Sequence, residues 1–255
     1  MSLKRADLLL KELGYAVSRN KAQTMIDEGM VFYKGEKVEK GSKKISEEGL
    51  SVQGNLKYVG RGALKLKEAF VKFGLDVHNK ICMDIGASTG GFTQVLLESG
   101  AEKVYALDVG RDQLDENLKC NPKVINLENT NFRYIDTDEY ENIEFISIDV
   151  SFISLDHILP NALKIIAQGD IVALLKPQYE GKNNQDKKSH YTLIENKLDW
   201  FKNSEYHISE IIPSPIRGKD GCIEYLLHIE KGNSEKRIEI QPIIDEAFER
   251  NREKK

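Results

Sequence analysis

Two lysines and two carboxylates, Lys65, Asp149, Lys176 and Glu224, stand in settings that could place charge beside a reacting hydroxyl. Asp149 follows the apolar run Phe145-Ile-Ser-Ile148, and Lys176 follows Ile171-Val-Ala-Leu-Leu175. Each is a charged residue directly after a strand-length buried run, the edge at which open α/β sheets bind ligands, so each can face a cleft instead of a core. Glu224 lies between Cys222-Ile223 and Tyr225-Leu-Leu-His228 in an expected strand, where a carboxylate needs a cationic partner that the lysines can supply. Lys65 stands on an expected helix, Arg61–Phe70, and taken alone is an ordinary surface lysine. A sugar hydroxyl is a poor nucleophile at neutral pH, and a lysine can take its proton only when neutral. A second cation nearby and a partly desolvated cleft both favour the neutral amine, which makes Lys176 beside Lys65 the candidate base, with Asp149 and Glu224 orienting the lysines and the hydroxyl. General-base help is worth on the order of 10²–10⁴-fold, whereas alignment of the reacting atoms contributes about 7–11 kcal/mol, so positioning should dominate.

The elements that must hold such a group begin with Ile81-Cys-Met-Asp84-Ile, an apolar run of strand length, continued by Gly86-Ala-Ser-Thr-Gly90-Gly91. Phe92-Thr-Gln-Val-Leu-Leu-Glu-Ser99 follows with apolar residues at helical spacing, so the glycine-rich stretch is a strand-to-helix turn. Val104-Tyr-Ala-Leu-Asp108 reads as a second buried strand ending in an acid, where a carboxylate could take both hydroxyls of a nucleotide ribose. The dinucleotide fingerprint wants glycine where this chain has Ser88, which disfavours a pyrophosphate at that point. Asp-x-Gly-x-x-x-Gly-Gly with an acid closing the next strand is instead similar to the class I S-adenosyl-L-methionine-dependent methyltransferases; tight strand–helix packing is the plain alternative for Gly90 and Gly91. The Asn/Asp-Pro-Pro-Tyr signature of amine methylation is replaced by Asp149-Val-Ser-Phe152, and there is no paired-cysteine arrangement of the kind used on pyrimidine carbon. A hydroxyl acceptor is the better fit.

A chain of 255 residues with 40% hydrophobic content can bury a real core in one large or two unequal domains. Its apolar runs fall far short of the ~20 residues that span a bilayer, and Met1-Ser-Leu-Lys4 lacks the apolar region of a signal peptide, so no membrane and a cytoplasmic location are the default expectations. Cys82, Cys120 and Cys222 show no Cys-x-x-Cys spacing and the five histidines are scattered, which points to reduced thiols and no metal. The net charge of −4 hides an asymmetry: residues 1–60 carry eleven Lys and Arg against eight Asp and Glu, a balance of +3 that leaves −7 for the remainder. RNA affinity, if present, should lean on the first sixty residues and on local basic loops.

Those residues read as a small α+β unit. Arg5–Leu13 ends at Gly14, a residue suited to the end of a helix; Ser18 suits the N-cap of Arg19–Glu28, which Gly29 closes. Val31-Phe-Tyr33 and Glu36-Lys-Val38 flank a possible tight turn at Lys34-Gly35, and Leu50-Ser-Val52 returns as a further strand. With its Ser-Arg-x-x-Ala run, the unit resembles the S4 RNA-binding domain. That resemblance implies that Arg5, Arg19 and Lys21 lie on the exposed face of the helical pair and meet RNA phosphates, contacts that place a protein without reading sequence. Residues 53–60 are the expected linker, dividing an S4-type domain at 1–59 from a second domain at 60–255.

Gly60-Arg-Gly-Ala-Leu-Lys65-Leu, Asp84-Ile-Gly-Ala-Ser-Thr-Gly-Gly-Phe-Thr93, Asp149-Val-Ser-Phe-Ile-Ser154, Leu175-Lys-Pro-Gln-Tyr-Glu180 and Ser214-Pro-Ile-Arg-Gly218 together resemble the TlyA family over essentially the whole chain. The resemblance implies a Rossmann-like class I S-adenosyl-L-methionine-dependent methyltransferase sheet of the FtsJ-like kind behind a small N-terminal α+β S4-type domain. Members are often labelled hemolysins, and characterised relatives methylate cytidine 2′-hydroxyls in ribosomal RNA. By the same resemblance Lys65, Asp149, Lys176 and Glu224 form the catalytic set, and Asp84, Gly86, Ser88, Gly90, Asp108, Asn129 and Thr130 surround the methyl donor. Glu180–His190, without an apolar residue, is a candidate substrate loop in which Lys182, Lys187 and Lys188 meet RNA phosphates or solvate the loop. A ribosome-assembly factor that binds RNA without turnover shares every binding feature and differs at the four-residue site; a membrane-active hemolysin is a further alternative.

Overall fold

The computed structural model describes residues 3–16, 18–53, 58–166, 168–181, 186–218, 221–232 and 237–250. The chain divides into two compact units, residues 1–61 and 62–255.

In the first unit, α1 (Ala6–Glu12) and α2 (Arg19–Asp27) bury Leu9, Leu10, Ala22, Met25 and Ile26 against Val31, Val38 and Ile45. The Ser18 hydroxyl oxygen accepts the Lys21 N–H at 3.1 Å, satisfying a backbone donor that the first turn of α2 leaves open. A three-stranded antiparallel sheet places β2 (Val31–Tyr33) between β3 (Glu36–Lys37) and β5 (Leu50–Val52). A pairing with no signal in the sequence joins β1 (Lys4–Arg5) to β4 (Lys44–Ile45). Two residues of strand on each side carry no period, and Lys4, Arg5 and Lys44 are exposed cations.

In the second unit seven strands order as β11-β12-β10-β9-β6-β7-β8. They are β6 (Ile81–Ile85), β7 (Lys103–Leu107), β8 (Val124–Leu127), β9 (Phe145–Ile148), β10 (Asp170–Leu175), β11 (Tyr206–Pro213) and β12 (Tyr225–Lys231). From β8 to β10 neighbours run parallel, while β12 runs antiparallel to both β10 and β11. The central strands read as continuous apolar runs because both faces are covered. Ile146 and Ile148 of β9 pack into a core with α6 (Leu159–Ile165), α7 (Lys187–Trp200) and α8 (Ile240–Glu249). The opposite face offers Phe145 to Phe70 of α3 (Gly62–Phe73), edge to face at 5.5 Å. The chain leaves β6 through α4 (Gly91–Glu98) to β7 and passes through α5 (Glu116–Lys119) to β8, then crosses back to β9, so strand order reverses between β6 and β9. Such a reversal opens a crevice at the carboxyl edge of the sheet. Among the described residues no helix is long and apolar enough to cross a membrane.

Candidate active site

Asp149 and Lys176 directly follow β9 and β10, whose parallel pairing brings both to the carboxyl edge. Glu224 reaches the same edge from the other direction: β12 starts at Tyr225, paired with Leu175, and runs back along β10. From its neighbours in sequence Glu224 is expected inside that strand. It lies one residue ahead of it, its carbonyl accepting the Ser214 N–H at 2.9 Å, and the strand begins after the side chain has turned toward Lys65. Lys65 comes from α3 on the flanking face of the sheet.

The four side chains form one chain of charge. Lys65 Nζ donates to Glu224 Oε2 at 2.7 Å and lies 3.7 Å from Asp149 Oδ2, while Lys176 Nζ is 2.5 Å from Asp149 Oδ1 and donates to Ser151 Oγ at 3.0 Å. Lys65, Lys176 and Glu224 are buried and Asp149 nearly so. Burial opposes charge on the Asp149 carboxyl, but the facing ammonium groups of Lys65 and Lys176 outweigh it and hold the carboxyl below its usual range. Gly218 makes room for Glu224, since a Cβ there would come within 2.0 Å of Oε1.

Beside this set lies a cavity of about 390 Å³, bounded by Gly86, Ser88, Asp108, Gln113, Asn131–Arg133 and the loop Asp149–Ile153. Gly86 adopts φ +87°, and a Cβ on it would meet the Asp149 carbonyl oxygen at 2.6 Å, so the glycine turn and the loop after β9 approach to backbone contact. Asp108 accepts the N–H groups of Ser88 at 2.8 Å and Gly110 at 2.7 Å, which fixes its carboxylate at the cavity. Leu107, Val109, Phe132, Ile153 and Ile158 supply apolar walls. A carboxylate beside apolar walls suits a ribose diol joined to an aromatic base, so these residues fit an adenosine-containing donor.

The other residues expected to surround the donor hold different places. Asp84 is fully buried, accepting the Thr93 hydroxyl at 2.7 Å and the Ser147 hydroxyl at 2.9 Å; burial pushes its carboxyl up to about 7. It braces the turn from below instead of facing the cavity. Gly90, at φ +95°, closes over Leu114 and Leu118, and its role is packing. Asn129 Oδ1 accepts from Arg111 Nε at 2.9 Å and the Thr130 N–H reaches the Asp108 carbonyl at 2.9 Å, so both shape the Asp108 loop, while the cavity is met by Asn131, Phe132 and Arg133. Loop residues here carry no period that could tell 129–130 from 131–133. Phe152 was also missed: it stands at the cavity with φ +66°, 82% exposed, its ring 5.1 Å from that of Tyr179. A bulky residue in the left-handed region is the signal, and it exists only in coordinates.

Of the candidate RNA contacts, Arg5 and Arg19 share Asp7, at 3.0 and 2.8 Å, and both guanidinium side chains remain about half exposed. Lys21 Nζ reaches the Val59 carbonyl at 3.4 Å. Lys187 pairs with Asp245, Lys188 is exposed, and Lys182 lies outside the described residues. At the opposite end of the sheet the donor atoms of Asp170, His228 and Glu230 lie within 4.8 Å of one another, with Lys80 Nζ 3.8 Å from Asp170.

An FtsJ-like methyltransferase family model matches residues 58–231, and an S4 domain model matches residues 4–50. Hemolysin A of Brachyspira hyodysenteriae is 42% identical over 239 residues, covering 88% of this chain and 98% of that protein. The 23S rRNA (cytidine-2'-O)-methyltransferase TlyA of Campylobacter jejuni is 35% identical over 240 residues, covering 83% of this chain and 94% of that one. A solved structure from Streptococcus thermophilus, named as a hemolysin, superposes with a TM-score of 0.78 at 37% identity and 99% coverage of both chains. With both family models matched in order and relatives aligned over most of its length, the chain belongs to the TlyA family of FtsJ-like methyltransferases that carry an S4 domain.

Proposed function

We propose that this protein transfers the methyl group of S-adenosyl-L-methionine to a ribose 2′-hydroxyl of ribosomal RNA, with cytidine as the target nucleoside. The observation that carries the reading is the Asp149 carboxylate, held between Lys65 and Lys176 at the wall of the cavity that Gly86 and Asp108 bound. The names of the curated relatives support ribosomal RNA and the cytidine ribose as the acceptor.

When bound, the donor supplies an electrophilic methyl group on sulfur. The chain's own work is to hold and deprotonate the acceptor. Asp108 and the Gly86–Ser88 backbone would hold the donor's ribose. Lys176, once its own proton has passed to solvent, would take the 2′-hydroxyl proton as oxygen attacks, and Asp149 would keep its Nζ aimed at that point. Lys65, tied to Glu224, would keep Asp149 ionised and in place. The exposed ring of Phe152 is suited to stack an unpaired base at the cavity. Residues 1–59 would serve as the RNA-anchoring domain, 53–60 as linker and 60–255 as the catalytic domain in the cytoplasm, where ribosomal subunits are found. Arg5, Arg19, Lys21, Lys182, Lys187 and Lys188 would contribute phosphate contacts.

The test is transfer of labelled methyl from S-adenosyl-L-methionine to unmodified ribosomal subunits, with the modified ribose mapped and Lys176→Ala run in parallel. Transfer to a 2′-oxygen that falls by about 10²–10⁴-fold in the variant is the expected result. Absence of transfer to either subunit despite RNA binding would favour an assembly factor, and leakage of clean liposomes would favour a membrane-active protein.

A further inference from the structure

A third buried lysine, outside the set of four, joins the two loops that carry Asp149 and Lys176. Lys197 on α7 is 3% exposed, and its Nζ lies 2.7 Å from Glu180 Oε2 and 2.5 Å from Asp156 Oδ1. Glu180 follows Lys176 in the turn after β10, whereas Asp156 belongs to the segment that leaves β9 through Asp149. The Glu180 carboxylate, 2% exposed, is used fully: Oε2 also accepts the Ser154 hydroxyl at 2.6 Å, and Oε1 accepts the Leu155 N–H at 2.8 Å. The two loops are thus joined twice, by Lys176 to Asp149 and Ser151, and by Glu180 to Ser154 and Leu155 with Lys197 behind it.

Such a clamp has a reason to exist. Between its two ends lies Phe152, held at φ +66° with its side chain largely in solvent. A non-glycine residue stays in that region only where its surroundings over-determine the backbone. A buried ammonium is itself tolerable only with a carboxylate in place, so Lys197 and Glu180 hold or fail together, with the half-exposed Asp156 as a further partner. The same helix touches the other half of the catalytic set: His190, seven residues before Lys197 and hence on the same face, has Nδ1 2.7 Å from the hydroxyl of Tyr225, the neighbour of Glu224.

We infer that Lys197 is a positioning residue for methyl transfer: through Glu180 and Asp156 it fixes the loop from Asp149 to Asp156 against the end of β10, so that Asp149 and Ser151 meet Lys176 in one arrangement. Its kinetic consequence rests on the methyl-transfer reading; the clamp itself does not. Both are tested on the full-length chain. Hydrogen exchange of the 149–157 amides, with Leu155 resolved, is compared in wild type, Lys197→Met and the double variant Lys197→Met/Glu180→Gln, which keeps the carboxamide oxygen for Leu155 without a buried charge. Cofactor affinity and stoichiometry, kcat and KM for ribosomal subunits are measured on the same samples. Lys197→Met should speed exchange in this segment and leave the strands β6 and β9 protected. It should lower kcat by about 10–100-fold while one donor still binds per chain with little change in affinity. The double variant should recover both readouts. Unchanged exchange at 149–157 overturns the clamp. A kcat loss that only tracks lost binding sites, with exchange rising throughout the chain, overturns the positioning role in favour of plain stability. Wild-type protein without methyl transfer to either subunit overturns the functional reading, and the exchange result then decides the clamp alone.

Discussion

Lys65 and Glu224 are 159 residues apart in the chain and 2.7 Å apart in space, joined across the flank of the sheet by a helix on one side and the head of an antiparallel strand on the other. Glu224 is 3% exposed, so its charge depends on that lysine. Lys65→Leu leaves the carboxylate buried without its donor, and urea unfolding should show a loss of about 3–5 kcal/mol. A loss below about 1 kcal/mol would mean that solvent or another cation takes over the role.

Asp108 sits at the cavity with Ser88 and Gly110 N–H groups on its two oxygens. Asp108→Asn puts an amide NH₂ against one of those donors and removes the negative charge available to a ribose diol. Titration calorimetry with S-adenosyl-L-methionine should show affinity lowered by about 10–100-fold, the worth of a hydrogen bond to a charged group. Unchanged affinity would place the ribose elsewhere.

At Gly86 a methyl group has nowhere to go. The φ of +87° disfavours any Cβ, and the atoms in its way, the Asp149 carbonyl oxygen at 2.6 Å and carbonyl carbon at 2.9 Å, are backbone. Gly86→Ala should cost more than about 1 kcal/mol of stability and abolish donor binding, because relief of the clash must push the Asp149 loop away from the turn. Full binding at wild-type stability would contradict the close approach.

Hydrogen bonds from Arg5, joined by Arg19 and opposed by burial, hold the Asp7 carboxyl down at about 2 against 3.8 for an ordinary aspartate. A depressed folded-state value means that the unfolded chain binds the proton first as pH falls. The stabilisation is therefore complete above pH 3.8 and is lost as pH drops toward about 2. Amide exchange in α1 and α2 of the full chain should rise over that window, and Asp7→Asn should show the same loosening at neutral pH with no further acid step there.

What could be read from the residues was local. The apolar run into Asp84, the glycines after it, the acid closing β7, the charged residues ending β9 and β10 and the Ser18 cap each depend on neighbours within a turn or a strand, and backbone sterics and burial act at that range. Relations across the sheet were beyond it. That Asp84 points under the turn, that residues 131–133 meet the cavity while 129–130 fold against Asp108, and that Glu224 precedes its strand all follow from which face each loop turns to the crevice. Lys197 and Glu180 show the same limit. In sequence they are a lysine and an acid with no visible partner; packing of α7 against the core buries both side chains and leaves each as the other's counter-charge. Periodicity assigns a residue to an element, but the partner of a buried charge is set by strand order and helix placement, which bring together positions the chain keeps far apart.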